Sequence, residues 1–311
     1  MPSTLKRNLI LQACKMLYVI GDKNRSRLSR ITSRLFKALL KRRSRIIDRN
    51  LRACFPTLNQ EQRQALAEKN TVNTLSGYLE TFTSWVSPLH YYRRHSRIVN
   101  ACVLERAQEK PKGVILMGGH FTSLDIAGIV ATAKQDIYIS YQPHKHSLMD
   151  ALINQGRLRW AKGIVSTKDV RAMIRILKEG GILWIAPDQD LGLKGSLFTD
   201  FFGIKTASST SVFRLAQITQ ATVIPTDFYA GDSPRSVTLR YHTPLPLTNE
   251  RDFLERYHRF LETSITYQPD QYLWAHRRFK TRPEGEMDFY QGDYDHVPSQ
   301  GNQGLHQFAN R

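Results

Sequence analysis

Val114-Ile115-Leu116-Met117-Gly118-Gly119-His120-Phe121-Thr122-Ser123-Leu124-Asp125 is the stretch on which the fold of the whole chain turns. Four consecutive apolar residues, a glycine pair, a histidine and then Thr and Ser predict a buried strand, a tight turn and a helix starting near Thr122. His120 thus falls at the carboxyl end of a strand, the edge at which open α/β sheets bind ligands. Five positions along one helix amount to about 140° of rotation, so His120 and Asp125 meet only if the chain bends between them. The glycines permit that bend. A carboxylate in the first helical turn can accept a hydrogen bond from one ring nitrogen, fixing the tautomer while the other nitrogen takes a proton. Equally, His120 can satisfy a backbone carbonyl while Asp125 caps the helix.

The same rhythm continues outward from this stretch. Apolar runs of strand length recur at Ile137 to Ser140, Ile182 to Ile185, Thr222 to Ile224 and Val237 to Tyr241. Helical patterns lie between and after them, near Thr122 to Ala133, Leu148 to Trp160, Val170 to Lys178, Ser208 to Gln217 and Glu250 to Ile265. This alternation predicts an α/β fold with a mostly parallel central sheet flanked by helices. The polar chain after Pro283 has little periodicity and reads as a flexible tail.

Upstream, the sequence is helical and basic. Leu9, Ala13, Met16 and Ile20 repeat with a helical period, opposite Asn8, Gln12 and Lys15. From about Arg25 a second helix carries Arg27, Arg30, Arg34, Lys37 and Lys41 as one stripe and Leu28, Ile31, Leu35 and Leu39 as another. The two stripes lie roughly 130° apart. A basic band beside an apolar band suits a helix lying on an anionic bilayer, and equally a domain helix with a solvated basic face. Glu61 to Val86 reads as one or two more helices. The net charge is +18, and the first fifty residues hold fourteen Lys and Arg against Asp22 and Asp48. Such a flank points to an anionic surface: nucleic acid, acidic lipid headgroups or an acidic protein.

Other classes are disfavoured. At 311 residues and 41% hydrophobic the chain can bury one sizeable core. Cys14, Cys54 and Cys102 are widely spaced, without the pairing of a disulfide framework or zinc site, and fit a reducing cytosolic setting. No run of about 18 apolar residues predicts a membrane span, and Leu9 to Ile20 is too short and is interrupted by Gln12 and Lys15. Walker A, GxGxxG, HExxH and GxSxG patterns are absent, and no metal site is expected.

Several further residues can carry chemistry. Asp188 and Asp190 follow the apolar run Ile182 to Ile185 and so share a sheet edge with His120, where they can orient a hydroxyl, cap a turn or, as the weakest option without a third ligand, bind a divalent cation. Arg157 and Arg159 can hold a phosphate or a developing oxyanion, or remain solvated. Between Trp274 and Pro283, His276, Arg277 and Arg278 belong to a run of cations interleaved with aromatics that can clamp phosphates.

Together these segments resemble the late acyltransferases of lipid A biosynthesis, of the lauroyl and myristoyl type, within the lysophospholipid acyltransferase superfamily. The resemblance runs over about residues 40 to 283. It rests on Arg49-Asn50-Leu51, Cys54-Phe55-Pro56, the His120 and Asp125 pair, Gly156-Arg157-Leu158-Arg159, Ala186-Pro187-Asp188-Gln189-Asp190, Phe201-Phe202-Gly203 and the segment from His276 to Pro283. It implies transfer of a fatty acyl chain from acyl carrier protein to a hydroxyl of an under-acylated lipid A precursor at the cytoplasmic face of the inner membrane. His120 would be the general base and Asp125 the group orienting it, with helix amides near Thr122 or an arginine such as Arg159 meeting the oxyanion. Arg157, Arg159, Asp188, Asp190, His276, Arg277 and Arg278 would bind substrate, with an anionic membrane surface as partner, no nucleic acid and no cofactor. Residues 1–105 would form a membrane-associating helical region, 106–283 the acyltransferase core and 284–311 the tail. A lysophospholipid or another glycolipid is the alternative acceptor, and a non-catalytic basic binding protein the alternative class. Two departures from the family pattern stand out. The chain has only the short amphipathic segment where relatives carry a hydrophobic anchor, which favours peripheral attachment, and Gln142 stands where relatives tend to carry arginine.

Overall fold

The computed structural model describes residues 3–39, 41–231, 233 and 235–291. Four helices open the chain: α1 (Ser3–Val19), α2 (Gly21–Leu39), α3 (Lys41–Cys54) and α4 (Gln60–Ser84). After the single-turn α5 (His90–Arg93) come β1 (Arg97–Val99) and α6 (Ala101–Gln108). Strand and helix then alternate through β2 (Val114–Met117), α7 (Leu124–Ala131), β3 (Ile137–Tyr141), α8 (Ser147–Arg157), β4 (Gly163–Ser166), α9 (Val170–Lys178) and β5 (Ile182–Ile185). A hairpin of β6 (Ser196–Phe201) and β7 (Ile204–Ser209) precedes α10 (Ser211–Thr219), β8 (Thr222–Ala230), β9 (Val237–Tyr241) and α11 (Glu250–Tyr267).

Seven strands form one sheet in the order β1-β9-β8-β2-β5-β3-β4. Pairing is parallel from β8 through β4 and antiparallel only between β8 and β9. The expectation of a mostly parallel sheet flanked by helices therefore holds. All four residues of β2 are fully buried at the sheet centre, as the unbroken apolar run requires of a strand covered on both faces. Ile47, Leu51 and Cys54 of α3 belong to the same buried cluster, so the core reaches from the sheet into the opening helices.

Two expected helices start later than the sequence pattern indicates, for physical reasons. Thr122 N–H donates to the Gln271 carbonyl at 2.8 Å, which pins the chain outside helical geometry until Leu124. Residues 204–209 pair with β6, so the helix expected from Ser208 begins at Ser211.

Helix α2 packs with an inverted polarity. Where α2 meets α4 the seam is polar: buried Arg25 donates to Glu80 Oε1 at 2.8 Å and to Asp22 Oδ1 at 2.6 Å, and Ser76 Oγ donates to Ser29 Oγ at 2.9 Å. The apolar flank faces solvent instead, with Ile31 67% and Leu35 58% exposed. On α1, Met16 is 69% and Val19 80% exposed, while Cys14 is buried in a small cluster with Trp85 and Leu152, against which Ile10 and Leu11 pack. The side chains of Arg34, Lys37 and Leu39, and the tail beyond residue 291, lie outside the described residues. No described helix is long and apolar enough to cross a membrane.

Candidate active site

The site forms where two neighbouring parallel strands end. β2 and β5 pair with Met117 opposite Ile185, and Gly118 N–H continues the ladder by donating to the Ile185 carbonyl at 3.0 Å. Beyond this register the chains separate, and the third residue after each strand is His120 on one side and Asp188 on the other.

Both faces of the loop between β2 and α7 are tightly packed. A Cβ on Gly118 would come within 2.9 Å of the Trp184 ring, and one on Gly119 within 2.8 Å of Leu261 Cδ1. Neither glycine has a positive φ, so the pair serves close approach rather than an unusual backbone turn. Tyr257 Oη donates to the Gly118 carbonyl at 2.7 Å. The extended segment after α11 closes the back: Leu273 N–H donates to the His120 carbonyl at 2.9 Å, and Phe121 bridges to Tyr272. Gly77 of α4 closes the front, since a Cβ there would sit 1.9 Å from the Thr122 carbonyl oxygen.

Asp188 holds His120 twice. His120 N–H donates to Asp188 Oδ2 at 2.8 Å, and His120 Nδ1 lies 2.5 Å from Asp188 Oδ1. Tyr272 Oη donates to Oδ2 at 2.9 Å. The Asp188 carboxyl is fully buried, which opposes its ionisation. The His120 ring, its backbone N–H and the Tyr272 hydroxyl outweigh burial and hold it down to about 2. Burial likewise disfavours the charged imidazolium, but the adjacent Asp188 charge and hydrogen bond raise His120 above the ordinary histidine value, against an opposing push from Arg157. The His120 side chain stays 27% exposed, and no group among the described residues hydrogen-bonds its Nε2. The arrangement is a base with one nitrogen fixed and the other open.

Asp125 does not occupy the place that the short spacing suggests. Its Oδ1 accepts from Arg157 Nε at 2.7 Å, and its Oδ2 accepts weakly from Arg157 Nη2 at 3.4 Å and Thr81 Oγ1 at 3.3 Å. The expected contact between Asp125 and His120 is therefore replaced by Asp188, because the loop is sewn to the segment after α11 and carries Asp125 toward α8. What Asp125 orients is a guanidinium whose positive charge is felt by His120. The pair is mostly buried, and the carboxylate offsets the burial that would otherwise disfavour the arginine charge.

The other sequence candidates divide sharply. Arg159 donates to the carbonyls of Ser84 and, at 2.9 Å, Ser87, tying the end of α4 to the end of α8 rather than facing the histidine. Arg278 is buried and donates to the Ala207 carbonyl at 2.8 Å and Ser208 Oγ at 2.9 Å. Arg277 pairs with Asp288 at 3.3 Å and stacks on Tyr290. The expected phosphate clamp from Arg277 and Arg278 is thus a set of internal staples. Asp190 accepts from Thr281 N–H at 2.6 Å and Thr281 Oγ1 at 2.7 Å. His276 Nε2 accepts the Asp190 N–H at 3.2 Å, and burial pushes this ring down to about 4, so it is neutral. These two bind the loop after β5 to the chain end. Thr122 N–H is already taken by Gln271, which removes it as an oxyanion donor. Sequence reading missed Tyr272, whose only signal is its place in the short apolar run Tyr272-Leu273-Trp274.

Comparison with known proteins adds an independent line. Residues 1–281 match the family model of the bacterial lipid A biosynthesis acyltransferases. The chain is 33% identical over 259 residues to an Escherichia coli (strain K12) lipid A biosynthesis palmitoleoyltransferase, covering 82% of this chain and 84% of that one. It is 31% identical over 257 residues to the lauroyltransferase of the same organism, covering 81% and 83%. Among solved structures, a 1-acyl-sn-glycerophosphate acyltransferase from Thermotoga maritima matches at 14% identity and a TM-score of 0.36, covering 78% of this chain and 96% of that one, too distant to assign any residue a role.

Proposed function

Because the chain belongs to the bacterial lipid A biosynthesis acyltransferases, we propose that it moves a fatty acyl chain from acyl carrier protein to a hydroxyl of an under-acylated lipid A precursor. The observation that carries this reading is the grip of Asp188 on His120 Nδ1, which leaves Nε2 open in the electrostatic field of Arg157.

In this scheme Nε2 takes the acceptor hydroxyl proton as the oxygen attacks the thioester carbonyl. The imidazolium that forms faces an Asp188 already ionised. The carbonyl oxygen becomes an oxyanion, and Arg157, aimed by Asp125, supplies the opposing charge. Collapse of the tetrahedral intermediate breaks the carbon–sulfur bond, and the carrier thiolate takes the proton from Nε2. The ester and a free carrier thiol are the products, and the histidine returns to its starting state. No acyl-enzyme forms.

Work at the cytoplasmic face of the inner membrane fits the outward apolar flanks of α1 and α2. Met16, Val19, Ile31 and Leu35 face solvent beside Arg27 and Arg30, the composition of a helix seated at an anionic interface. The direct test combines two measurements. His120→Ala in an assay with acylated carrier protein and lipid A precursor abolishes transfer, whereas retained full activity overturns the mechanism. Mass spectrometry of lipid A from cells lacking the protein shows one missing chain, and an unchanged lipid A with an altered phospholipid overturns the acceptor.

A further inference from the structure

A second basin lies on the far side of α3 from the catalytic loop. The α3 residues Arg43 and Asn50 face the segment behind His120: Arg43 Nη1 donates to the Ala275 carbonyl at 2.9 Å, and Asn50 Nδ2 to the carbonyls of Trp274 and His276 at 2.8 Å each. Arg45, Arg49 and Arg52 lie roughly 140° round the same helix. With Arg30 of α2 and Arg63 of α4 they line a cavity of about 650 Å³ between the three helices. That volume is in the range of small-molecule sites, about 300–1,000 Å³.

The charge in this cavity is not balanced. Five guanidiniums face two carboxylates, Asp48 and Glu68. Asp48 is engaged by Arg63 at 2.9 Å. Arg45, which is exposed, and Arg52, which is partly buried, make no hydrogen bond or ion pair among the described residues, so both guanidinium forks are open to an incoming anion. All the cations are arginines, whose planar forks match the oxygens of a phosphate better than an ammonium does. The wall beneath them is apolar, through Ile47, Ala67 and Val72.

We propose that this groove binds the phosphate headgroup of an anionic membrane phospholipid, at a site separate from the acyl-transfer centre. The choice of a bilayer lipid rests on the interfacial reading above: Arg30 and Ser33 of the groove belong to α2, the helix that turns Ile31 and Leu35 outward. An apolar wall under a cationic rim matches acyl-chain methylenes beneath a phosphate. A groove for an acidic protein helix would need the cations spread along a surface rather than gathered round a hollow. Occupation of the groove would fix the enzyme's height and rotation on the membrane while His120 faces a different lipid.

The test is titration of the full chain with dihexanoyl phosphatidylglycerol as monomers, with dihexanoyl phosphatidylcholine and inorganic phosphate as parallel probes. Saturable one-to-one binding of phosphatidylglycerol alone is expected. Arg45→Gln/Arg52→Gln weakens it by about tenfold or more, whereas Arg171→Gln/Arg175→Gln, which removes equal charge from the exposed face of α9, changes it by less than about twofold. His120→Ala binds as the native chain does, so failure of the acyl-transfer reading and failure of this one are told apart. Equal losses in both double variants reduce the effect to bulk charge and overturn the site. Equal affinity for inorganic phosphate overturns the lipid as occupant. Retained lipid binding in Arg45→Gln/Arg52→Gln together with lost binding to acyl carrier protein makes the groove a protein dock and overturns the proposal.

Discussion

His120 and Asp188 stand three residues beyond the register partners Met117 and Ile185, and meet with Nδ1 2.5 Å from Oδ1. Parallel pairing thus carries both residues to the same level at the same sheet edge. Asp188→Asn should lower kcat by about a hundredfold or more, within the range that general-base catalysis supplies. The substitution keeps the shape of the side chain, so a native far-ultraviolet spectrum with lost turnover is the expected pairing. A fall confined to KM would assign Asp188 to substrate binding instead.

The sign of the His120 shift gives a pH dependence. A base must be unprotonated, and His120 lies above its ordinary 6.5, so kcat/KM should rise along a limb centred above pH 6.5. In Asp188→Asn the burial and the Arg157 charge, both of which favour the neutral ring, act without opposition, and the limb should move to below 6.5. Stability follows the same logic. The raised His120 stabilises fully below 6.5 and loses that contribution as pH rises through its folded value. The lowered Asp188 stabilises above 3.8 and loses its share as pH falls toward about 2. The melting-temperature gap between the native chain and Asp188→Asn should therefore be widest between 3.8 and 6.5.

Arg157 and Arg159 are separated by one residue and by role. Arg157→Lys loses the two-pronged contact with Asp125 and should cost about a hundredfold in kcat, the scale of removing one oxyanion donor. Arg159→Ala loses two carbonyl contacts, at an exposed position, and should lower stability by about 1 kcal/mol with kcat nearly unchanged. Steady-state kinetics beside denaturant titration separates the two. Equal kinetic losses would return Arg159 to the reacting atoms.

Gly77→Ala tests the wall in front of the histidine. The new methyl would lie 1.9 Å from the Thr122 carbonyl, so α4 or the catalytic loop must shift. A loss of about 1–3 kcal/mol in chemical denaturation, with a larger proportional loss of activity, is expected. Unchanged stability would mean that the loop yields freely.

Much of this architecture is legible in the residues. Val114 to Met117 and Ile182 to Ile185 coincide with β2 and β5, because strands buried on both faces are written as unbroken apolar runs. The short edge strands β1 and β4 carry no such run, and the β6–β7 hairpin turns through Phe202 and Gly203, both at positive φ, a geometry that Phe seldom adopts. Both His120 and Asp188 stand out as strand-end residues. Their contact does not, because register is a property of the assembled sheet, and proximity in the chain favours Asp125. Arg277 and Arg278 mislead for a related reason: cations among aromatics look alike whether they face a ligand or staple the interior.

The exposed apolar flank of the opening helices gives a separable measurement. Met16→Ser/Val19→Ser should weaken binding to anionic vesicles in high salt, where screening has removed most of the charge contribution, and should leave turnover of water-soluble acceptor analogues intact. Vesicle binding unchanged at all salt concentrations would mean that these side chains do not reach the bilayer.

Asn50, Asn70 and Asn73 fasten the backbone from Asp270 to His276, and that segment in turn backs His120 and hands Tyr272 to Asp188. Helices α3 and α4 and the distant 270–276 segment therefore complete the proposed base together. The sheet strands all precede residue 270, yet His120 has no back wall and Asp188 lacks one of its donors until residues 270–276 are in place. A chain that carries every residue from His120 to Asp125 but lacks 270–276 would hold the histidine without its back wall, so the proposed base is assembled only when that segment packs against α3 and α4.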